Sequence, residues 1–114
     1  MRVDHYLTAD GRDLFERWLD RVRDRRALVA IERRIARIER DGHLGDHKYL
    51  RDGVSELRID IGAGYRVYYA RTGKTVYMLL CGGDKGSQDA DIKNARAMWK
   101  ELNPPAKKPA KSCA

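Results

Sequence analysis

The chain moves between two hydrophobic rhythms. Leu14, Phe15, Trp18, Leu19 and Val22 cluster at helical spacing, and Leu28, Ile31, Ile35 and Ile38 recur at steps of three, four and three. Both stripes predict amphipathic helices, one running to about residue 22 and one over 25–40. Thr8 or Asp10 is placed to cap the first, because a short side-chain oxygen there accepts an orphan amide hydrogen bond. The link at 23–26 is short enough to fold the pair into an antiparallel hairpin. After Gly42-His43-Leu44-Gly45-Asp46 the period drops to two. Leu57, Ile59 and Ile61 alternate with Glu56, Arg58 and Asp60, and Tyr65, Val67 and Tyr69 alternate with Arg66, Tyr68 and Ala70. Two strands follow, joined at Gly62-Ala63-Gly64. Thr72-Gly73-Lys74 turns into a nearly all-apolar run at 75–81, the expected sheet centre. Turns this tight make the three strands antiparallel neighbours. Residues 2–7 suit a short opening strand. Gly82-Gly83 is expected to end the sheet, and Ile92, Ala95, Trp99 and Leu102 mark a last helix with Asp89 and Asp91 in its first turn. The order β-α-α-β-β-β-α predicts an α+β domain with its helices on one sheet face.

Composition narrows the setting. The chain has 114 residues and a formal charge of +7, which fits a single domain over 1–102. The tail 103–114 holds Lys107, Lys108 and Lys111 and no acid. It reads as a disordered basic extension. No apolar run approaches the ~20 residues of a membrane span. The N-terminus lacks the apolar segment of a secretory signal. The expectation is a cytoplasmic protein whose partners are nucleic acid, ribosome or acidic protein, and not a membrane. Cys81 and Cys113 are too few and too scattered for a disulfide framework or zinc site, and read as one buried and one dangling thiol.

The second sheet face holds the candidate chemistry. If the apolar residues pack on helices, Glu56, Arg58, Asp60, Arg66 and Tyr68 project the other way. That set is either a solvated face of paired charges or a platform on which Arg forks clamp phosphate and Tyr68 stacks a base. His47, Lys48 and Arg51 approach it from one loop, and Asp84, Lys85, Ser87 and Gln88 from another. Helix-start amides beside Lys85 would suit an anion. The chain lacks a GxxxxGK[ST] phosphate loop. His43 and His47 with Asp46 read as loop residues, not metal ligands, and no cofactor is implied. The many helical arginines, interleaved with Asp20, Asp24, Glu32 and Glu39, read as a solvated face with i,i+4 pairing.

The blocks Gly53-Val54-Ser55-Glu56-Leu57-Arg58, Gly64-Tyr65-Arg66-Val67-Tyr68-Tyr69 and Leu79-Leu80-Cys81-Gly82-Gly83-Asp84-Lys85 resemble the RelE/ParE superfamily of bacterial toxins. The likeness is strongest to the HigB-like addiction module killer branch. It extends over about 100 residues and implies a RelE-like fold, in which an N-terminal helical hairpin packs on an antiparallel sheet with a C-terminal helix. It also implies a type II toxin–antitoxin system. The partners would be a cognate antitoxin, commonly a small helix-turn-helix protein, with operator DNA reached only through that complex. Ribosome and mRNA would be the targets of a metal-independent endoribonuclease that inhibits translation. The alternative is a ParE-like, non-catalytic inhibitor of DNA gyrase. By the resemblance, Arg66 and Arg58 hold the scissile phosphate, Lys85 follows the last long strand, and the basic residue before the Arg58 strand falls near Lys48. Arg51 and Gln88 flank the RNA path, and Tyr68 stacks a base. Cleavage by the substrate's own 2′-hydroxyl needs a base, for which Glu56, Asp60 or His47 is available, and an acid, Lys85 or Tyr68. The chain lacks the histidine or tyrosine that some ribonuclease members place after the last strand. Arg66→Ala is expected to abolish killing without unfolding the protein, on the premise that Arg66 is a surface residue.

Overall fold

A computed structural model describes residues 1–73 and 76–102. The elements are β1 (Arg2–His5), α1 (Leu14–Arg21), α2 (Arg25–Asp41), β2 (His47–Arg51), β3 (Val54–Ile59), β4 (Tyr65–Thr72), β5 (Val76–Asp84), a 3-10 turn at Lys85–Ser87, and α3 (Gln88–Leu102). The basic tail 103–114, with Cys113, lies outside the described residues. The class is α+β, as the pattern predicts.

Three features correct the expected architecture. The sheet has five strands in the order β1-β5-β4-β3-β2, and it is mixed, because β1 runs parallel to β5 while the other pairs are antiparallel. β2 is an edge strand with exposed His47, Lys48 and Tyr49, so no apolar alternation announces it. The helices occupy both faces. Phe15, Leu19, Ile31 and Ile38 bury against Leu57, Ile59, Val67, Tyr69 and Leu79 on one side. On the other, Ala95, with Ile92, Met98 and Trp99, packs on Val54, Tyr68, Ala70, Leu80 and Cys81. α1 packs along β5 and α2 across β1 and β3, so each uses the sheet rather than its neighbour as its main support.

Local chemistry accounts for the boundaries. Asp13, not Thr8 or Asp10, caps α1 by accepting from the Glu16 amide at 2.9 Å. Thr8 and Asp10 instead shape the preceding turn, where the Thr8 amide bonds the Arg12 carbonyl. Asp24 caps α2 through the Arg26 and Ala27 amides at 3.0 and 3.2 Å. Gly42 ends it in the left-handed region at φ 72°, where glycine carries no Cβ penalty.

β5 does not stop at its glycines. A register shift between Tyr68 and Tyr69 turns both Leu80 and Cys81 toward α3, as a bulge does by adding a residue to one strand. Beyond it Gly82 faces α1 and Gly83 faces α3. An added Cβ at Gly82 would fall on the Trp18 ring, and one at Gly83 on the Asp91 carboxylate. The glycine pair lets helices on opposite faces approach the same stretch of strand.

Arg34 ties the helical layer to the sheet. Its guanidinium donates to the carbonyls of Leu44 (2.8 and 3.2 Å), Asp46 (2.6 Å) and Arg58 (2.7 Å). Partial burial lowers its pKa from the ordinary arginine value. Three backbone carbonyls lose a charged donor if this side chain goes, Asp46 keeping the bond from the Arg58 amide, and bonds to charged groups are the stronger kind. Arg34→Ala is expected to reduce stability by about 2–3 kcal/mol. Urea denaturation of the two proteins measures it, and a difference below about 0.5 kcal/mol would refute the role.

Candidate functional site

β3 and β4 pair with Glu56 opposite Tyr68 and Arg58 opposite Arg66. Directly opposed residues share a face, so all four lie on the α3 side. β2 extends the first row, with Lys48 opposite Glu56. The alternation read from sequence therefore holds, but the face is not a solvated platform. α3 and the turn before it cover most of it.

Glu56 is the centre of the arrangement. Its side chain is 1% exposed and receives a 3.0 Å hydrogen bond from Arg58 Nε. Arg66 Nε stands 3.7 Å from the same oxygen. That is an ion pair too long to be a hydrogen bond, and Arg66 Nε has no hydrogen-bond partner. Gln88 Nε2 reaches the other Glu56 oxygen at 3.4 Å. Two cations thus share one buried carboxylate, which holds side by side two guanidiniums that would otherwise repel. Glu56 is a positioning residue here, not an accessible base.

The two arginines differ in access. The Arg66 side chain is 7% exposed, with Nη1 bonded to the Tyr65 carbonyl at 3.1 Å and 3.6 Å from Asp60 Oδ1. Arg58 is 36% exposed at its side chain and can meet a ligand from solvent. The premise that Arg66 is a surface residue fails, since its alanine variant would leave Glu56 short of a counter-charge.

Tyr68 is fully buried, its hydroxyl has no partner, and burial raises its pKa. It presents no ring to a base and no ready proton. Its apolar surroundings come from α3, which the alternation of β4 cannot reveal. Asp60 is 67% exposed at its side chain, and so is the more accessible carboxylate beside the arginines. Lys85 is exposed. Its amide bonds the Gly64 carbonyl at 3.2 Å, and its stem lies over Gly64. Asp60, Arg66, Arg58 and Lys85 therefore gather at the β3–β4 turn end of the sheet.

Other candidates lie apart. Arg51 sits by Asp52 at the opposite end of β3, about 13 Å along the strand from Arg58 at ~3.3 Å per residue. His47 Nδ1 is 2.8 Å from the Gly45 carbonyl on the outer strand. The amides of Gly86 and Ser87 are taken by Asp84 Oδ1 at 2.8 and 3.2 Å, so the anion site imagined beside Lys85 is already filled by the protein. Among the described residues, His5, Asp13 and Glu16 lie close enough to hold a metal. Asp13, however, spends one oxygen on the α1 cap and sets the other 2.6 Å from His5.

Sequence reasoning missed Asp91. It lies against Gly83, bonds Ser87 Oγ at 2.5 Å, and has its pKa raised by burial. Gly83 is the signal that could have found it, since a glycine inside a strand marks a close approach. Cys81 is buried, and burial pushes its thiol up to about 12. Almost no thiolate then exists near neutral pH, and only the thiolate reacts. In a Cys113→Ser variant, Cys81 should resist Ellman's reagent until the protein is unfolded. Rapid labelling of the native protein would contradict the packing described here.

No described helix is long and apolar enough to cross a membrane. No protein-family model matches the chain. An uncharacterized protein of Haemophilus influenzae is 47% identical over 88 residues, spanning 77% of this chain and 88% of that one.

Proposed function

The chain belongs to one family with that Haemophilus influenzae protein, and we propose that it is the toxin of a type II toxin–antitoxin pair with a RelE-like fold. In this reading it is a metal-independent endoribonuclease that cuts mRNA on the ribosome. The observation that carries the reading is the pairing of Arg58 with Arg66 on one buried carboxylate, next to exposed Asp60 and Lys85. The Arg58 guanidinium, held by Glu56 with the charge of Arg66 behind it, suits a phosphate whose charge grows in the transition state, because a donor already in place needs no reorganisation. Holding the 2′-hydroxyl in line with the departing oxygen supplies a further large part of the rate. Asp60 is placed to take the hydroxyl proton and Lys85 to protonate the leaving 5′-oxygen. Arg58 binds the phosphate, and Glu56 keeps both arginines in register.

The burial of Glu56 and Tyr68 favours a second reading. Two of the groups available for proton transfer are out of reach, and an inhibitor that only binds gyrase needs neither. One pair of assays separates the readings. Added to a translating extract, a ribonuclease leaves new 5′ ends within ribosome-bound mRNA. A gyrase inhibitor leaves mRNA intact and accumulates cleaved gyrase–DNA complexes in a supercoiling reaction. Intact mRNA in the extract would overturn the first reading.

A further inference from the structure

The corner between β1 and α1 gathers one histidine and two carboxylates that the proposed cleavage does not use. His5 ends β1, Asp13 caps α1, and Glu16 lies in the first turn of that helix, a His-x7-Asp-x2-Glu spacing. The loop between them is clasped shut, since Leu7 bridges Asp13 and the Thr8 amide bonds the Arg12 carbonyl at 2.9 Å. One imidazole nitrogen and one oxygen from each carboxylate lie within 4.8 Å of one another as a result.

Two of the three side chains are already aimed. The His5 ring stands edge-on to Phe15 with centroids 5.3 Å apart, and its Nδ1 is 2.6 Å from Asp13 Oδ2. Asp13 Oδ1 accepts from the Glu16 amide at 2.9 Å. The helix cap therefore uses one oxygen and fixes where the other points. Charge supplies a separate argument. The chain has 24 lysines and arginines, yet among the described residues none lies within 4.0 Å of the Asp13 or Glu16 carboxylate. Two carboxylates this close repel each other, and a cation shared between them removes the repulsion.

We propose that His5, Asp13 and Glu16 bind a zinc ion that fastens the start of α1 to β1. The donor set decides the class of metal, because imidazole with carboxylates suits Zn²⁺, whereas Mg²⁺ and Ca²⁺ take oxygen ligands. The ring carries its proton on Nε2 and offers Nδ1 to the ion. Nδ1 and Oδ2 part from 2.6 Å to about 3.3 Å, the spacing of two ligands at ~2.05 Å around a tetrahedral ion. The His5 and Asp13 side chains are 33% and 26% exposed, and Glu16 is exposed, so solvent gives the ion a path in and a water for its fourth position. The sheet order sets β1 three strand spacings from β3, about 14 Å at ~4.8 Å per strand. The inference stands apart from RNA cleavage, and neither outcome of the cleavage assay decides it.

Isothermal titration calorimetry with Zn²⁺ alone tests the site. The protein is the tag-free full chain carrying Cys113→Ser, so that no tail thiol competes for the metal. It is expected to bind one ion per chain with micromolar affinity, and Mg²⁺ in tenfold excess should not compete. Glu16→Gln keeps the size of an exposed side chain and removes a ligand, and should weaken binding at least tenfold. His5→Gln should do the same, with unchanged circular dichroism showing that each variant is folded. His43→Asn/His47→Asn, which removes the other two histidines, should leave the affinity unchanged. Zinc should also raise the midpoint of thermal unfolding of the parent chain but not that of Glu16→Gln. Absence of binding up to about 1 mM zinc would overturn the proposal. So would an affinity indifferent to Glu16→Gln, or one lost in the His43/His47 double variant.

Discussion

Glu56→Ala is expected to destabilise the protein by about 3–5 kcal/mol, because it removes one partner from a buried ion cluster and leaves its charges uncompensated. Arg58 and Arg66 both depend on this carboxylate, at 3.0 and 3.7 Å. Among the described residues, Arg66, almost wholly buried, has no other carboxylate within 4.0 Å but Asp60, at 3.6 Å. A domain of this size has only about 5–15 kcal/mol of stability, so much of the total is at stake. Glu56→Gln should fall between alanine and wild type, since it keeps the shape and an acceptor but loses the charge. Guanidinium denaturation of the three proteins gives the ordering. If alanine and wild type agreed within about 0.5 kcal/mol, the cluster would be an ordinary surface pair.

Gly82→Ala is the second large effect, at about 3 kcal/mol, the upper end of what overpacking costs. A methyl group there occupies the space of the Trp18 ring, and that ring is held between Phe15 and Tyr65, with centroids 5.8 and 6.4 Å away. The ring is partly buried against the core, so the methyl group forces it or the strand to shift. A Trp18→Ala/Gly82→Ala double variant makes room for the methyl group and should lose less than the two single changes added together. Strict additivity in thermal melts would mean that Trp18 and Gly82 do not share the space.

These two positions show what sequence pattern can and cannot carry. Period-two alternation placed Leu57, Ile59, Val67 and Tyr69 on one side and Glu56, Arg58, Arg66 and Tyr68 on the other, because side chains on a strand alternate by geometry. It could not say what covers the second side, because α3 is distant in sequence and its packing is a tertiary fact. So Tyr68 looked available and is buried, and Arg66 looked like a surface residue and is not. Gly82-Gly83 looked like a stop, since glycine breaks strands by default. Its role as a passage for Trp18 and Asp91 depends on helices arriving from both faces. β2 was invisible because an edge strand with exposed Lys48 and Tyr49 carries no apolar rhythm. Arg25, Arg26, Arg33 and Arg37 of α2 show the opposite case: among the described residues none has a carboxylate within 4.0 Å, and Asp24 accepts from its cap amides instead.

Within the proposed site, the structure moves the weight from Arg66 to Arg58. Both contact Glu56, but the half-buried Arg58 can meet a phosphate, and its loss leaves Glu56 with Arg66 and Gln88. The most direct test of the site is induced expression of wild type and Arg58→Ala at matched soluble levels. Growth and mRNA 5′ ends are followed in the same cultures. Wild type should arrest growth and cut mRNA, while folded Arg58→Ala should do neither. Arrest by Arg58→Ala equal to that of wild type, with mRNA intact in both cultures, would contradict the account.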